Sequence, residues 1–360
     1  MSKGILFWRS FTHWIGGMGV LVFMMAVVPS VSDRSIHILR AEVPGPVVGK
    51  LVPRIRQTTR ILYIIYIAMT AVEIIFLLLG GMPLFDSIVH AFGTAGTGGF
   101  GIKADSIASY SPYLQWVITI FMFLFGVNFN LYYLILLKKI RSVFKSTELW
   151  FYCGIVLAST VAIAFNIKTT YPTIGETVRV AAFQVSSIIT TTGYATTDFD
   201  TWPVFSKSIL LLLMFVGACA GSTGGGIKVS RIVLLLKSIK RELKQLLHPR
   251  SVGTIRFEGK KVEDRTVNSV SSYLAIYTCF YCAIFLVVSM LEPFNLETII
   301  SSVASCFNNI GPAFGAAGPT LNYAEFTQLS KVILSIAMLL GRLEIYPIIL
   351  TLSPTTWVKK

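Results

Sequence analysis

Apolar runs of near-membrane length alternate along the chain with shorter, mixed stretches. Residues 61–79, 114–137, 149–165, 209–216, 273–291 and 332–340 contain a single charged residue among them, Glu73. About 20 apolar residues suffice to cross a ~30 Å hydrocarbon layer as helix. Between these runs lie amphipathic stretches at 83–90, 174–189 and 296–307. A dozen helical residues at about 1.5 Å each reach ~18 Å, half a bilayer. Each ends in a glycine-bearing polar loop, at 93–100, 190–194 and 308–312. The pattern predicts one order (span, half-length helix, glycine loop, span) in residues 58–140, again in 147–237 and again in 269–352. Such self-similarity is an internal repeat.

The remaining segments read as connections. Residues 4–29 form a further span, with Arg9 and His13 near its outer end and Gly16, Gly17 and Gly19 inside it. Residues 30–57 are basic and broken by Pro44, Pro46 and Pro53, as expected of a linker. Residues 238–268 form a second basic linker and 353–360 a tail. Composition agrees: 54% of residues are hydrophobic and 13% charged, against about 25% charged in a soluble domain. The net charge of +14 raises the question of nucleic acid, but its placement answers it. Lys and Arg crowd into 34–60, 138–145 and 228–265, which puts these loops in the cytoplasm by the positive-inside rule. The five cysteines show no disulfide framework, and Cys279 with Cys282 reads as core packing rather than metal ligation.

Irregular backbone is tolerated at membrane depth only when buried in protein or lining a wet cavity. Three glycine loops in register therefore belong around one axis, a better reading than three unrelated outer turns. Each half-helix would aim its C-terminal, partly negative end at that axis, which favours cations. Thr190, Thr191, Thr192, Gly193 and Tyr194 can present a line of carbonyl and hydroxyl oxygens. Carbonyl rings of that kind replace the hydration shell of K+ in potassium pores.

The motifs jointly resemble a known family. Trp8, Arg9 and Ser10 precede Trp14, Gly16, Gly17, Met18 and Gly19, followed by Arg40, Glu42, Pro44 and Pro46. Then come Gly98, Gly99 and Phe100; Thr191 to Thr196; Gly221 to Lys228; Asn309 to Pro312; and Gly341 to Glu344. Over nearly the whole chain these resemble the M1–P–M2 units of the Trk/Ktr/HKT superfamily of potassium transporters, its TrkH/TrkG-type uptake subunits above all. The resemblance implies an all-α integral membrane protein with units around a pseudo-fourfold pore, multi-pass in the bacterial inner membrane and without covalent chemistry or cofactor. It implies K+ as the transported ion, held at backbone carbonyls of Thr97, Gly98, Gly99 and Phe100, of Thr191, Thr192, Gly193 and Tyr194, and of Asn309, Ile310, Gly311 and Pro312. It further implies a TrkA-like nucleotide-binding regulatory subunit on the basic face and a homodimer. The family has four units, whereas three are complete here and residues 4–29 match only the second span of the first. The expectation is a sequence that begins late in a longer one.

Two intramembrane features add to this picture. Gly217 and the run Gly221, Ser222, Thr223, Gly224, Gly225 and Gly226 interrupt a span, since glycine costs up to about 1 kcal/mol per helical position. Close helix packing is one reading; the resemblance implies a gating loop beneath the filter. Arg342 lies deep in an apolar span, beyond the reach of snorkelling, where a charge costs roughly 2.5–3.5 kcal/mol unless it faces protein or water. In the family it lies under the filter. Asn128 and Asn130 read equally as cavity lining or interhelical hydrogen bonding, and Asp198 and Asp200 as solvated residues of the outer mouth. Alternative functions are a non-conducting homologue, or a membrane enzyme built on Arg342, Glu344 and His13. The latter lacks any paired-carboxylate or nucleophile arrangement.

Overall fold

The computed structural model describes residues 2–19, 55–250, 253–343 and 345–352. Helix α1 spans Lys3–Gly17. The first complete unit runs α2 (Ile55–Leu79), α3 (Leu84–Ala95), α4 (Pro112–Phe125) and α5 (Phe129–Leu136). After the short α6 (Ile140–Phe144), the second follows as α7 (Thr147–Asn166), α8 (Ile174–Ile189), α9 (Val204–Phe215) and α10 (Val229–Leu247). A small hairpin, β1 (Arg256–Phe257) and β2 (Lys260–Lys261), leads into α11 (Asp264–Leu291), α12 (Leu296–Phe307), α13 (Gln328–Arg342) and α14 (Ile345–Leu352).

Local sequence explains the half-length helices α3, α8 and α12. The Thr173 hydroxyl caps α8 by accepting from Glu176 N–H at 3.2 Å, and Asn295 Oδ1 caps α12 by accepting from Thr298 N–H at 3.0 Å. Each such cap contributes about 1 kcal/mol. Asp86, Glu176 and Glu297 occupy the first turns, while no basic residue stands in any of the last turns. The positive helix ends are thus compensated, and the negative ends are left facing inward.

The units pack alike. Helix α1 lies against α3, α4 against α8, and α9 against α12, so the second span of one unit supports the half-helix of the next. Phe183 and Tyr194 of the second unit are fully buried in the core of the first, with Tyr66, Ile118 and Phe125. Each contributes about 1.5–3 kcal/mol by burial. The outer faces of α2, α7 and α11 expose Ile75, Leu157, Phe165, Leu286 and Met290, an apolar surface suited to lipid.

Several expectations need correction. The run 114–137 is two helices bent by 89°. Gly126 ends the first and the Asn128 side chain caps the second, while Tyr152 fills the space beside Gly126. Asn128 is therefore a cap. The final span is likewise divided, into α13 and α14. Helix α3 continues through Gly93, which permits close approach of the Tyr194 hydroxyl rather than breaking the helix. Helix α1 closes at Gly17, with Gly19 at φ 84°. Residues 20–54, which include the end of the expected span 4–29 and most of the linker 30–57, lie outside the described residues, as do Glu344 and 353–360. Cys279 and Cys282 are exposed on α11, not packed in a core.

Candidate functional site

Each half-helix ends in the same backbone turn. After α8, Thr191 has φ 58° and Gly193 φ 84°. The matching pairs are Thr97 (56°) with Gly99 (62°), and Asn309 (58°) with Gly311 (113°). Thr192 N–H donates to Ser187 O at 2.9 Å, Gly98 N–H to Gly93 O at 2.8 Å, and Ile310 N–H to Ser305 O at 2.9 Å. These are Schellman closures, whose left-handed position normally belongs to glycine. A residue with a Cβ there costs about 1–2 kcal/mol. Its side chain supplies the compensation. The Thr191 hydroxyl accepts from Gly225 N–H at 2.7 Å, the Thr97 hydroxyl donates to Thr223 O at 2.9 Å, and Asn309 Nδ2 donates to Met338 O at 3.0 Å. Each left-handed residue ties its turn to whatever packs beneath it.

Neighbouring turns meet edge to edge. A Cβ on Gly99 would strike the Thr192 carbonyl, and one on Gly193 the Ile310 carbonyl. The three turns therefore run side by side in unit order. Side chains brace them from behind. Ser187 Oγ donates to Tyr194 O at 2.6 Å, Tyr194 OH to His90 O at 3.1 Å, and Tyr323 OH to Gly311 O at 2.9 Å. Phe100 turns toward α1, where the Arg9 guanidinium lies 4.7 Å from its ring centroid and the His13 ring packs edge-on.

An irregular segment between α9 and α10 lies directly under these turns. A Cβ on Gly224 would approach Thr190 O at 3.0 Å, and one on Gly225 would approach Asn308 O at 2.9 Å. Glycine is required because the base of two of these turns touches the loop backbone. The loop is also anchored sideways: Cys219 N–H donates to Gly126 O and Phe129 N–H to Gly221 O, both at 3.0 Å. Lys228 Nζ donates to Gly224 O within the loop. At its tip, Thr223 O accepts from Thr97 and, at 3.2 Å, from Arg342 Nη1. A cavity of about 210 Å³ beside that tip is lined by Thr12, His13, Gly16, Thr97, Asn309 and Arg342.

The chain matches the family model described as TrkH, cation transport protein, over residues 1–357. It belongs to the TrkH family of cation transport proteins. The potassium uptake protein TrkG of Escherichia coli K12 is 36% identical over 362 residues, covering 99% of this chain and 74% of TrkG. TrkH of Vibrio parahaemolyticus is also 36% identical, over 366 residues. The crystal structure of the potassium transporter TrkH from that organism superposes with a TM-score of 0.85 at 32% identity, covering 99% of this chain and 74% of the other.

Within this TrkH-family fold, all twelve residues proposed for the filter lie in the three turns, and Gly221 to Gly226 form the loop below them. Arg342 reaches that loop. Neither Asn128 nor Asn130 lines the cavity. Asp198 and Asp200 are half-buried rather than freely solvated. Asp198 caps the turn after it, and Asp200 pairs at 3.5 Å with Lys207, which also meets Glu297 at 2.6 Å. Sequence reasoning misses Thr12 and Gly16 as cavity residues. Their signal is spacing: Arg9, Thr12, His13 and Gly16 recur every three or four residues on one face of α1. Among the described residues no cluster of metal-ligating side chains exists.

Proposed function

We propose that the chain is the potassium-conducting membrane subunit of a Trk-type uptake system. The observation that carries this is the threefold Schellman turn, which sets three short lines of backbone oxygens edge to edge at the negative ends of three half-helices. Such oxygens replace the water around K+ without any ionised ligand. The relatives' names as potassium uptake proteins and transporter agree. The loop Gly221 to Gly226 and Arg342 act as the barrier beneath. Thr97 and Thr191 link filter and barrier mechanically, since their hydroxyls bond the loop itself. A nucleotide-binding regulatory subunit on the basic face, and pairing of two copies, complete this reading. Its support is α10, which exposes Leu243, Leu246 and Leu247 among lysines and arginines.

The direct test is ion flux in proteoliposomes: purified transporter is expected to pass K+ well ahead of Na+. Equal fluxes, or none under a driving gradient, reject the reading. Shortening the loop within 222–226 is expected to raise K+ flux several-fold while leaving the K+/Na+ ratio intact. Each filter turn is closed by its own half-helix carbonyls, and this closure holds the turn in place when the loop bonds to Thr97 and Thr191 are lost. A drop in flux with normal folding would make the loop a packing element.

A further inference from the structure

Two carboxylates link the basic-side hairpin to the intramembrane loop. Glu258 and Gly259 join β1 to β2 with φ 50° and 76°, between the paired residues Phe257 and Lys260. Two successive positive φ values define a type I′ turn, which favours Asn, Asp or Gly at its first position. Glutamate there has a task for its longer side chain. Glu258 Oε1 accepts from Ser146 Oγ at 3.1 Å and from Glu148 N–H at 3.2 Å. Ser146 is the N-cap of α7 and itself accepts from Leu149 N–H. The hairpin thus places a carboxylate on the positive end of α7, taking a backbone donor that the helix cannot satisfy.

Glu148 repeats the device one step further in. Its carboxylate is buried, with the residue 4% exposed. Oε1 accepts from Ala220 N–H at 2.6 Å and from Ser230 N–H at 3.1 Å. Ala220 lies in the loop, and Ser230 in the first turn of α10, whose own N-cap residue, Lys228, supplies no side-chain cap. One carboxylate therefore clamps both ends of the glycine segment. The hairpin is itself firmly seated: Ile255, Phe257 and Val262 are buried in one cluster with Val143, Val233 and Val267. Lys237 Nζ donates to Arg256 O at 2.8 Å. Hairpin, α7 start, glycine loop and filter are joined without a gap, since the loop in turn bonds Thr97 and Thr191.

We propose that Glu148 is the positioning residue that holds the loop under the filter, and that Glu258 on the hairpin controls how tightly it holds. The proposal rests on the reading of the chain as a potassium pore obstructed by this loop. The direction follows from the arrangement itself. The loop lies beneath the filter, so every bond that exists only in this arrangement favours the obstructed state over one with the loop withdrawn. Displacing Glu258 frees the first turn of α7, loosens Glu148 and shifts the population toward withdrawal. A force or a cationic surface acting on the hairpin would reach the gate by this route.

The test is K+ and Na+ flux in proteoliposomes holding the purified transporter alone. Glu258→Ala is expected to raise K+ flux about tenfold, the loss expected for a charged hydrogen-bond acceptor, with an unchanged K+/Na+ ratio. Glu258→Gln keeps an oxygen at the same reach and is expected to show a clearly smaller rise. Adding Glu258→Ala to Glu148→Ala should change little more, because the two act in series and the clamp is already gone. Glu148 is buried and its variant can fail to fold, so the exposed Glu258 variants decide. Unchanged or reduced flux in Glu258→Ala, an equal rise in Glu258→Gln, or a loss of selectivity alongside the rise each overturns the proposal. Wild-type vesicles that pass no K+ would instead reject the pore reading, and the clamp with it.

Discussion

Gly193→Ala is expected to lower the K+/Na+ flux ratio about tenfold, which needs only ~1.4 kcal/mol of lost preference. Two effects combine at this position. The left-handed backbone at φ 84° disfavours any Cβ, by about 1–2 kcal/mol. The new methyl would also point straight at the Ile310 carbonyl of the next turn. That carbonyl is backbone and cannot rotate aside as a side chain would, so the turn after α12 must move. Both adjacent lines of filter oxygens are then displaced by one substitution. Gly175→Ala is the control: it lies in α8, the half-helix that leads to Gly193, and its Cβ meets nothing within 4 Å. It should leave the ratio unchanged. A normal ratio in Gly193→Ala, measured in proteoliposomes at wild-type yield, would remove Gly193 from the ion path.

Local signals make some of this legible in sequence. The half-helices α8 and α12 fall where the amphipathic pattern puts them because Thr173 and Asn295 are caps that advertise their helices. The repeat and the glycine loop are legible for the same reason: glycine and proline report backbone needs directly. The bend at Gly126 is not. Residues 121–129 read as one apolar run, and what breaks it is tertiary: Cys219 and Phe129 exchange backbone hydrogen bonds with Gly126 and Gly221 across the two units. The cap by Asn128 is visible in sequence only as a polar residue facing a neighbour.

Thr97 and Thr191 defeat sequence rules more thoroughly. A β-branched residue is the last expected in a left-handed position, and only the loop bonded beneath explains it. The same holds for Glu148 and Glu258. Nothing in sequence links a helix start to a hairpin turn more than a hundred residues away, and each alone reads as an ordinary acid among basic linkers. The sites of this pore are legible where one segment carries the function, and hidden where two segments share it.

Arg342→Ala is expected to raise unregulated K+ flux by one to two orders of magnitude. Arg342 ends α13, and its guanidinium bonds the loop tip at Thr223 O while lining the cavity below the filter. An ion in a cavity of about 210 Å³ cannot sit more than several ångströms from that charge. At ~6 Å and an effective dielectric near 20 the repulsion is on the order of 3 kcal/mol. Two roles are combined in one side chain: a fixed charge that empties the cavity of cations, and a donor that tethers the loop. Arg342→Lys retains the charge with a poorer tether, whereas Arg342→Gln retains a donor without charge. If charge is the barrier, Lys stays near wild type while Gln conducts almost as freely as Ala. If the tether is the barrier, Gln remains closed. The size of the repulsion favours the first outcome, because a hydrogen bond from a charged donor contributes roughly 1.5–3 kcal/mol, at most as much as the repulsion it accompanies.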